Sequence, residues 1–130
     1  MSLDQDLHTM ATGRNFATLT TILPSGQPQT QVMWIDADDD HLLINTEVHR
    51  QKYKNVEHDP RVTITVWDVN NPYRYVEARG KVVEKVGGTA ARDHIDACSL
   101  RYTGNPYGNP VQSERVILKV EADTLHKNGV

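Results

Sequence analysis

Hydrophobic and polar residues alternate most regularly in the middle of the chain. Residues 61–68 (RVTITVWD) place valine and isoleucine at every second position, the period of a β-strand with one buried face. Residues 16–23 (FATLTTIL) are rich in β-branched side chains and are followed by the turn sequence Pro-Ser-Gly. Residues 29–36 (QTQVMWID) then have the composition of a partner strand, so this region predicts a β-hairpin.

Three further segments have the composition of strands: residues 41–45, 73–86 and 114–123. The long segment 73–86 contains Gly80, where a bend or bulge is expected. Six or so strands, mostly in hairpin order, predict a mainly β domain over residues 1–130. Its sheet is expected to be a closed or nearly closed antiparallel barrel.

The pattern also predicts three short helices. Residues 4–11 precede Gly13 as a stop signal, and residues 51–58 precede an Asp-Pro pair that ends a helix. The third helix is predicted over residues 89–100 with Thr89 as its N-cap. Three of its residues are expected to face partly inward: Ile95, Cys98 and Leu100.

Length and charge restrict the class of protein. A chain of 130 residues fits one domain, and 14 basic against 17 acidic residues give a net charge of -3. A nucleic-acid partner is disfavoured because phosphate binding usually requires a basic protein. One cysteine fits a reducing compartment, and no apolar stretch reaches membrane-spanning length. We therefore expect a soluble, cytoplasmic protein.

A cluster of positive charge stands out against this acidic background. Arg50, Lys52 and Lys54 occupy alternate positions just before and within the second predicted helix. They converge whether the segment is extended or helical, and a helix would add free backbone N–H groups at its N-terminus. Such a set suits a phosphate group, although from charge alone a solvated basic face is the commoner explanation.

The sequence around this cluster resembles a known family. Residues 50–62 (RQKYKNVEHDPRV) are similar to the R-x-K-x-x-N-h-x-x-D-P-R-h pattern, with h apolar, of the pyridoxamine-phosphate-oxidase-like split β-barrels. The pattern is that of a branch often assigned to coenzyme F420. The resemblance continues through residues 73–84, 94–107 and 114–126. It implies a split-barrel homodimer that binds two cofactors in grooves along the dimer interface.

The resemblance also assigns roles to residues near the cationic cluster. It implies that Arg50 and Lys52 hold the cofactor phosphate. Asn45 and Thr46 would contribute backbone and hydroxyl contacts to the phosphate or the ribityl chain. Two more residues are weaker candidates: Lys54, and Asn55, for which a capping or turn role is as plausible as cofactor contact.

The tricyclic ring of the cofactor would lie beside the second strand, at Val32, Met33 and Trp34, although Trp34 could equally belong to the barrel core. The implied function is an oxidoreductase that transfers hydride to a small organic substrate, with coenzyme F420 favoured over FMN. Two alternatives stay open: an FMN-binding pyridoxamine-phosphate-oxidase-like protein, and a non-catalytic flavin or deazaflavin carrier.

Other candidate chemistry is sparse. His94 and Cys98 are four residues apart on the third predicted helix, but no further ligand is evident, so no metal site is predicted. No residue stands out as a general acid or base. Among the tyrosines, Tyr102 and Tyr107 could line the substrate opening, and two others could lie near a pocket edge: Tyr73 and Tyr75.

Overall fold

The structure is a computed structural model that describes residues 2–130. Its strands are β1 (Phe16–Ile22), β2 (Pro28–Trp34), β3 (Asp36–Ala37), β4 (Leu42–Glu47), β5 (Arg61–Asp68), β6 (Asn71–Val86) and β7 (Arg115–Asn128). Its helices are α1 (Gln5–Ala11), α2 (Gln51–His58) and α3 (Gly88–Thr103). All strand pairs are antiparallel, in the order β2-β1-β5-β6-β7-β4-β3. The protein therefore has one curled sheet of the split-barrel type, with β2 and β3 at its two edges.

The two long strands, β6 and β7, form the curved part of the sheet. β6 pairs with β5 and with β7, and β7 continues to pair with β4. The pairing of β6 with β7 shifts register at Gly80, as expected for a bulge. A Cβ atom at this position would lie 1.8 Å from the carbonyl oxygen of Glu121, so only glycine allows β7 to approach this closely.

The main hydrophobic core is built from alternate residues of the strands. In β5 these are Val62, Ile64 and Val66, each almost completely buried. Burial of each large aliphatic side chain stabilises the fold by roughly 1.5–3 kcal/mol. One face of α1 closes the core with three residues: Leu7, Met10 and Ala11.

Most of the predicted elements are confirmed, including the β1–β2 hairpin, the period of two in β5 and the extent of α2. The sheet has seven strands rather than six, because the chain after β2 forms the two-residue strand β3 against β4. The two edge strands, β2 and β3, do not pair with each other, so hydrogen bonds do not close the sheet into a complete barrel.

The predicted start of α3 is wrong. The N-cap is Gly87 rather than Thr89, and Gly88, with a positive φ of 69° that glycine adopts without strain, makes the turn from β6 into the helix. The prediction that Leu100 faces inward is also wrong, because its exposed fraction is 52%. It lies five residues after the buried Ile95, about 140° around the helix.

None of the helices in residues 2–130 combines the length and the apolar composition needed to cross a membrane.

Candidate functional site

A cavity of about 270 Å³ opens between β2, β4, the start of α2, α3 and the loop that follows α3. Its walls combine apolar side chains with a group of positive charges. The apolar part includes Met33, Trp34, Ile35, Leu43, Ile95 and Cys98. The polar part comprises Asn45, Thr46, Arg50, Lys52, His94, Tyr107, Asn109 and Arg115.

Three cations line this cavity: Arg50, Lys52 and Arg115. Burial lowers the pKa of the Lys52 ammonium, and the positive charges of Arg50 and Arg115 lower it further. Neither Arg50 nor Lys52 forms an ion pair with another residue in the range 2–130. Mutual repulsion of this kind is relieved when an anion binds among the charges.

The start of α2 adds to this positive potential. Arg50 is the N-cap residue of α2, and no side chain caps the first turn of this helix. The first backbone N–H groups of a helix have no partner within the helix, and they carry its positive dipole end. Arg50 and Lys52 therefore line the cavity beside a helix terminus that favours phosphate.

The third cation, Arg115, is the residue that sequence reasoning missed. It begins β7, is 5% exposed, and pairs with the buried Glu47 at 3.5 Å. Its guanidinium also lies over the ring of Tyr107, 5.1 Å from the ring centre. A single charge at the head of the apolar run RVILKV was the available signal, since charged residues are rarely buried without a partner.

Asn45 and Thr46 both line the cavity, as their predicted roles require. The side chain of Asn45 is already engaged, however. Its Nδ2 donates to the carbonyl oxygen of Ala91 at 2.9 Å and lies 3.0 Å from Nδ1 of His94, while its Oδ1 accepts from Nε of Arg115 at 2.9 Å. Asn45 thus connects β4 to α3 and β7 rather than offering a free amide to a ligand.

The two weaker candidates lie outside the cavity lining. The Lys54 side chain is exposed on α2. Asn55 is fully buried, and its Nδ2 donates to Thr21 at 2.9 Å and to Gln29 at 3.1 Å. Its Oδ1 accepts from Gln51 at 2.8 Å. The bonds to Thr21 and Gln29 are tertiary contacts rather than those of the local cap or turn considered for Asn55, and they tie α2 to the β1–β2 hairpin.

Of the three β2 residues predicted to lie beside a cofactor ring, two belong to the cavity wall and one does not. Met33 and Trp34 line the cavity, whereas Val32 is 64% exposed and is not part of its wall. Trp34 stacks on Tyr102 with ring centres 5.1 Å apart and is met edge-on by Tyr107 at 6.4 Å. Trp34 is therefore a wall residue held by aromatic contacts rather than a residue of the main core.

The other tyrosines occupy different surroundings. Tyr102 donates its hydroxyl to the carbonyl oxygen of Asn15 and accepts from the backbone N–H of Ile35, so it anchors α3 to the sheet. Tyr73 is 77% exposed, and neither Tyr73 nor Tyr75 belongs to the cavity lining.

His94 and Cys98 acquire a third neighbour that the sequence did not indicate. Nε2 of His94 lies 2.8 Å from Oδ2 of Asp36 and 3.5 Å from Sγ of Cys98. Burial disfavours the charged imidazole, but the contacts with Asp36 and Cys98 outweigh burial and raise the pKa of His94 to about 9. The side-chain NH₂ of Asn45 faces Nδ1 of His94 and can donate a hydrogen bond only when this nitrogen carries no proton. This contact therefore favours the neutral imidazole.

Potential metal-binding atoms of Asp36, His94 and Cys98 all lie within 4.8 Å of one another. A metal would need Nε2 of His94 without its proton, whereas this proton is held by the Asp36 carboxylate. Arg101 occupies the other oxygen of Asp36 at 3.0 Å and repels an additional cation. These contacts favour a hydrogen-bonded cluster over a metal site.

The curled antiparallel sheet with its three helices defines a protein of the split-barrel class, and its cavity is lined partly by positive charge. Comparison with protein families identifies the family: residues 3–129 match the model of the pyridoxamine 5'-phosphate oxidase family. The chain belongs to this family, whose fold is that of flavin-binding oxidoreductases. Among functionally curated proteins the sequence has no significant match.

Solved structures support the same assignment. A protein described as an F420 reductase is 30% identical, with a TM-score of 0.78 over 97% of this chain and 100% of that one. A conserved hypothetical protein from Mycobacterium tuberculosis is 25% identical, with a TM-score of 0.73 over 96% of this chain and 83% of that one. A putative pyridoxamine 5'-phosphate oxidase from Listeria innocua, at 17% identity, has a TM-score of 0.69 over 95% of each chain and shares the fold.

Proposed function

We propose that this protein is an oxidoreductase that binds a phosphorylated flavin-type cofactor and transfers hydride to a small organic substrate. The observation that carries the proposal is the convergence of Arg50, Lys52 and Arg115 on one cavity, two of them without an ion-pair partner in residues 2–130. Cations held together against their own repulsion fit a phosphate-bearing ligand.

Coenzyme F420 is the favoured cofactor, and FMN is the alternative. The R-x-K pattern at Arg50 and Lys52 supports this choice, as does the similarity to a protein described as an F420 reductase. Both cofactors present a ribityl phosphate, so the cationic residues by themselves suit either one. The distinction therefore depends on a binding measurement with both compounds.

The residues of the cavity have separate tasks in this proposal. Arg50 and Lys52 bind the phosphate, while Met33 and Trp34 provide an apolar wall for the ring and limit access of water. The cofactor supplies the hydride chemistry when it is bound, and the protein orients it against the substrate. No residue is assigned as an obligatory proton donor.

We also propose that the protein works as a homodimer. β2 is an edge strand, and Val32 exposes 64% of its surface beside the cavity residues Met33 and Trp34. An exposed apolar residue on an unpaired strand edge fits a surface that another chain covers. The partners expected are therefore a second copy and a small-molecule substrate; a cytoplasmic location stays a prediction from the sequence.

Turnover tests the enzymatic part of the proposal. Purified protein is mixed with reduced F420 and an enone acceptor, and cofactor oxidation is followed by absorbance, in parallel with reduced FMN. Sustained oxidation over many equivalents supports an oxidoreductase. Saturable cofactor binding without oxidation across a panel of acceptors would instead support the alternative of a non-catalytic carrier.

A further inference from the structure

We propose that Arg115 is the third ligand-binding cation of this cavity, and that Asn45 is the positioning residue that holds its guanidinium toward a bound phosphate. This inference deepens the proposed function and rests on it for the identity of the cofactor. It rests on the contacts of Arg115 itself for the anion site.

Arg115 is built into the cavity wall rather than left mobile. Its side chain is 5% exposed, and Nε, Nη1 and the face of the guanidinium each have a partner: Asn45, Glu47 and the ring of Tyr107. A guanidinium fixed on several sides loses little conformational entropy when it binds a ligand.

Donors remain available on this fixed group. Within residues 2–130, Nη2 makes no hydrogen bond to the protein, and the contacts of Nη1 with Glu47 and with the Tyr107 hydroxyl are both long, at 3.5 Å. Arginine binds phosphate best through two parallel N–H groups. Arg115 therefore keeps the donors that a phosphate oxygen needs, on a residue that lines the same cavity as Arg50 and Lys52.

The orientation of Asn45 is forced by its other partners. Its Nδ2 donates to the carbonyl oxygen of Ala91, so Oδ1 must face Nε of Arg115. The reversed amide would place its oxygen against the Ala91 oxygen and its NH₂ against the Arg115 N–H. Asn45 can therefore fix the direction of the guanidinium without adding charge to the cavity.

The test uses inorganic phosphate alone as the probe, on the full chain. Phosphate is expected to raise the melting temperature relative to chloride at equal ionic strength. Arg115→Lys, which keeps the charge opposite Glu47, should weaken the phosphate affinity obtained from these shifts about fivefold or more. Arg79→Lys, at an exposed arginine paired with Glu77, is the matched control and should leave the affinity unchanged.

A double-mutant cycle separates positioning from a merely structural role. Asn45→Ala should weaken phosphate binding in the wild-type background but add little in the Arg115→Lys background. Equal effects of Asn45→Ala in both backgrounds would overturn the positioning role. An unchanged phosphate affinity in Arg115→Lys, or no phosphate effect on the wild type, would overturn the third-cation assignment.

The cofactor titration is kept separate. If neither F420 nor FMN binds the wild type, while the phosphate effect depends on Arg115, then the proposed function fails and the assignment of Arg115 stands. If a cofactor binds and its affinity does not change in Arg115→Lys, then the proposed function stands and the assignment of Arg115 fails.

Discussion

Glu47 and Arg115 form an ion pair in which both side chains are buried, 2% and 5% exposed, with 3.5 Å between Oε2 and Nη1. Oε1 of Glu47 also accepts the backbone N–H groups of Gln112 and Ser113, each at 2.7 Å. One carboxylate thus connects β4, the start of β7 and the loop that carries Tyr107 over the cavity. This pair links the stability of the fold to the shape of the site.

The first prediction concerns the stability contributed by Glu47. Glu47→Gln leaves Arg115 buried without its counter-ion, which typically costs about 3–5 kcal/mol of unfolding free energy. Urea denaturation at neutral pH measures this loss, and Glu57→Gln, at an exposed residue of α2, is the control. A loss no larger than that of the control would contradict the role of the pair.

The same residue predicts a pH dependence. Burial acts to raise the pKa of Glu47, but the N–H donors of Ser113 and Gln112 and the charge of Arg115 outweigh burial and lower it below the usual 4.5. Its contribution to stability is therefore complete above the unfolded pKa and is lost as pH falls through the lower folded pKa. Unfolding free energy measured from pH 6 down to the acid limit should fall less steeply in Glu47→Gln than in the wild type. Parallel curves would argue against this.

The second prediction tests the close approach of β6 and β7. Gly80→Ala would force a Cβ atom to within 1.8 Å of the Glu121 carbonyl oxygen, so the strands must separate. The expected cost is about 3 kcal/mol, the upper range for overpacking. Gly108→Ala is the control because no atom lies within 4 Å of its added Cβ, and it should change stability by less than about 0.5 kcal/mol. Equal melting temperatures for the two variants would contradict the close approach.

The third prediction concerns the phosphate-binding cations. Lys52→Ala should weaken cofactor binding by about 1.5–3 kcal/mol, the value of a charge-assisted hydrogen bond. Lys54→Ala, two residues further along α2 and outside the cavity, should cost less than about 1 kcal/mol. Since Lys52 is half-buried beside Arg50 and Arg115, its removal also relieves repulsion, so the cofactor-free protein should keep its melting temperature. A greater loss in Lys54→Ala would place the phosphate further along α2.

The fourth prediction concerns the geometry of Arg50. Arg50→Lys keeps the charge at the N-cap of α2 but removes the planar fork, so it should cost about 1–2 kcal/mol of cofactor binding. Isothermal titration at one fixed ionic strength measures the difference, because screening would otherwise obscure it. If lysine serves as well as arginine, Arg50 acts only as a point charge.

The fifth prediction is the oligomeric state. Light scattering should give about twice the chain mass of 14.7 kDa, with an interface that buries more than about 1,500 Å². A mass of one chain at micromolar concentration would contradict the homodimer. It would also exclude a cofactor site completed by a second subunit.

Much of the fold could be predicted because its signals are local. The alternation in β5 and the Pro-Ser-Gly turn after β1 are each contained in a few consecutive residues. The Asp-Pro pair after α2 is equally local. The N-cap of α3 was misplaced because two glycines precede Thr89, and the sequence does not show what conformation each of them adopts. Strand β3 was missed because two residues carry no periodicity.

The site could be predicted only in part, for a similar reason. Arg50 and Lys52 lie in one short segment, and their spacing resembles a family pattern. Arg115 reaches the same cavity from the far end of the chain, where nothing in its neighbourhood indicates its partners. Asp36 meets His94 across 58 residues, and only the folded sheet brings them together.

The central claim is that this cavity binds a phosphorylated flavin-type cofactor, and equilibrium titration tests it most directly. Purified wild-type protein and Lys52→Ala are titrated with coenzyme F420 and with FMN, and binding is read from cofactor fluorescence. We predict saturable binding of F420 at one equivalent per chain, tighter than FMN, and about ten- to a hundredfold weaker in Lys52→Ala. Absence of saturable binding for both cofactors, or equal affinities in the two proteins, would contradict the account.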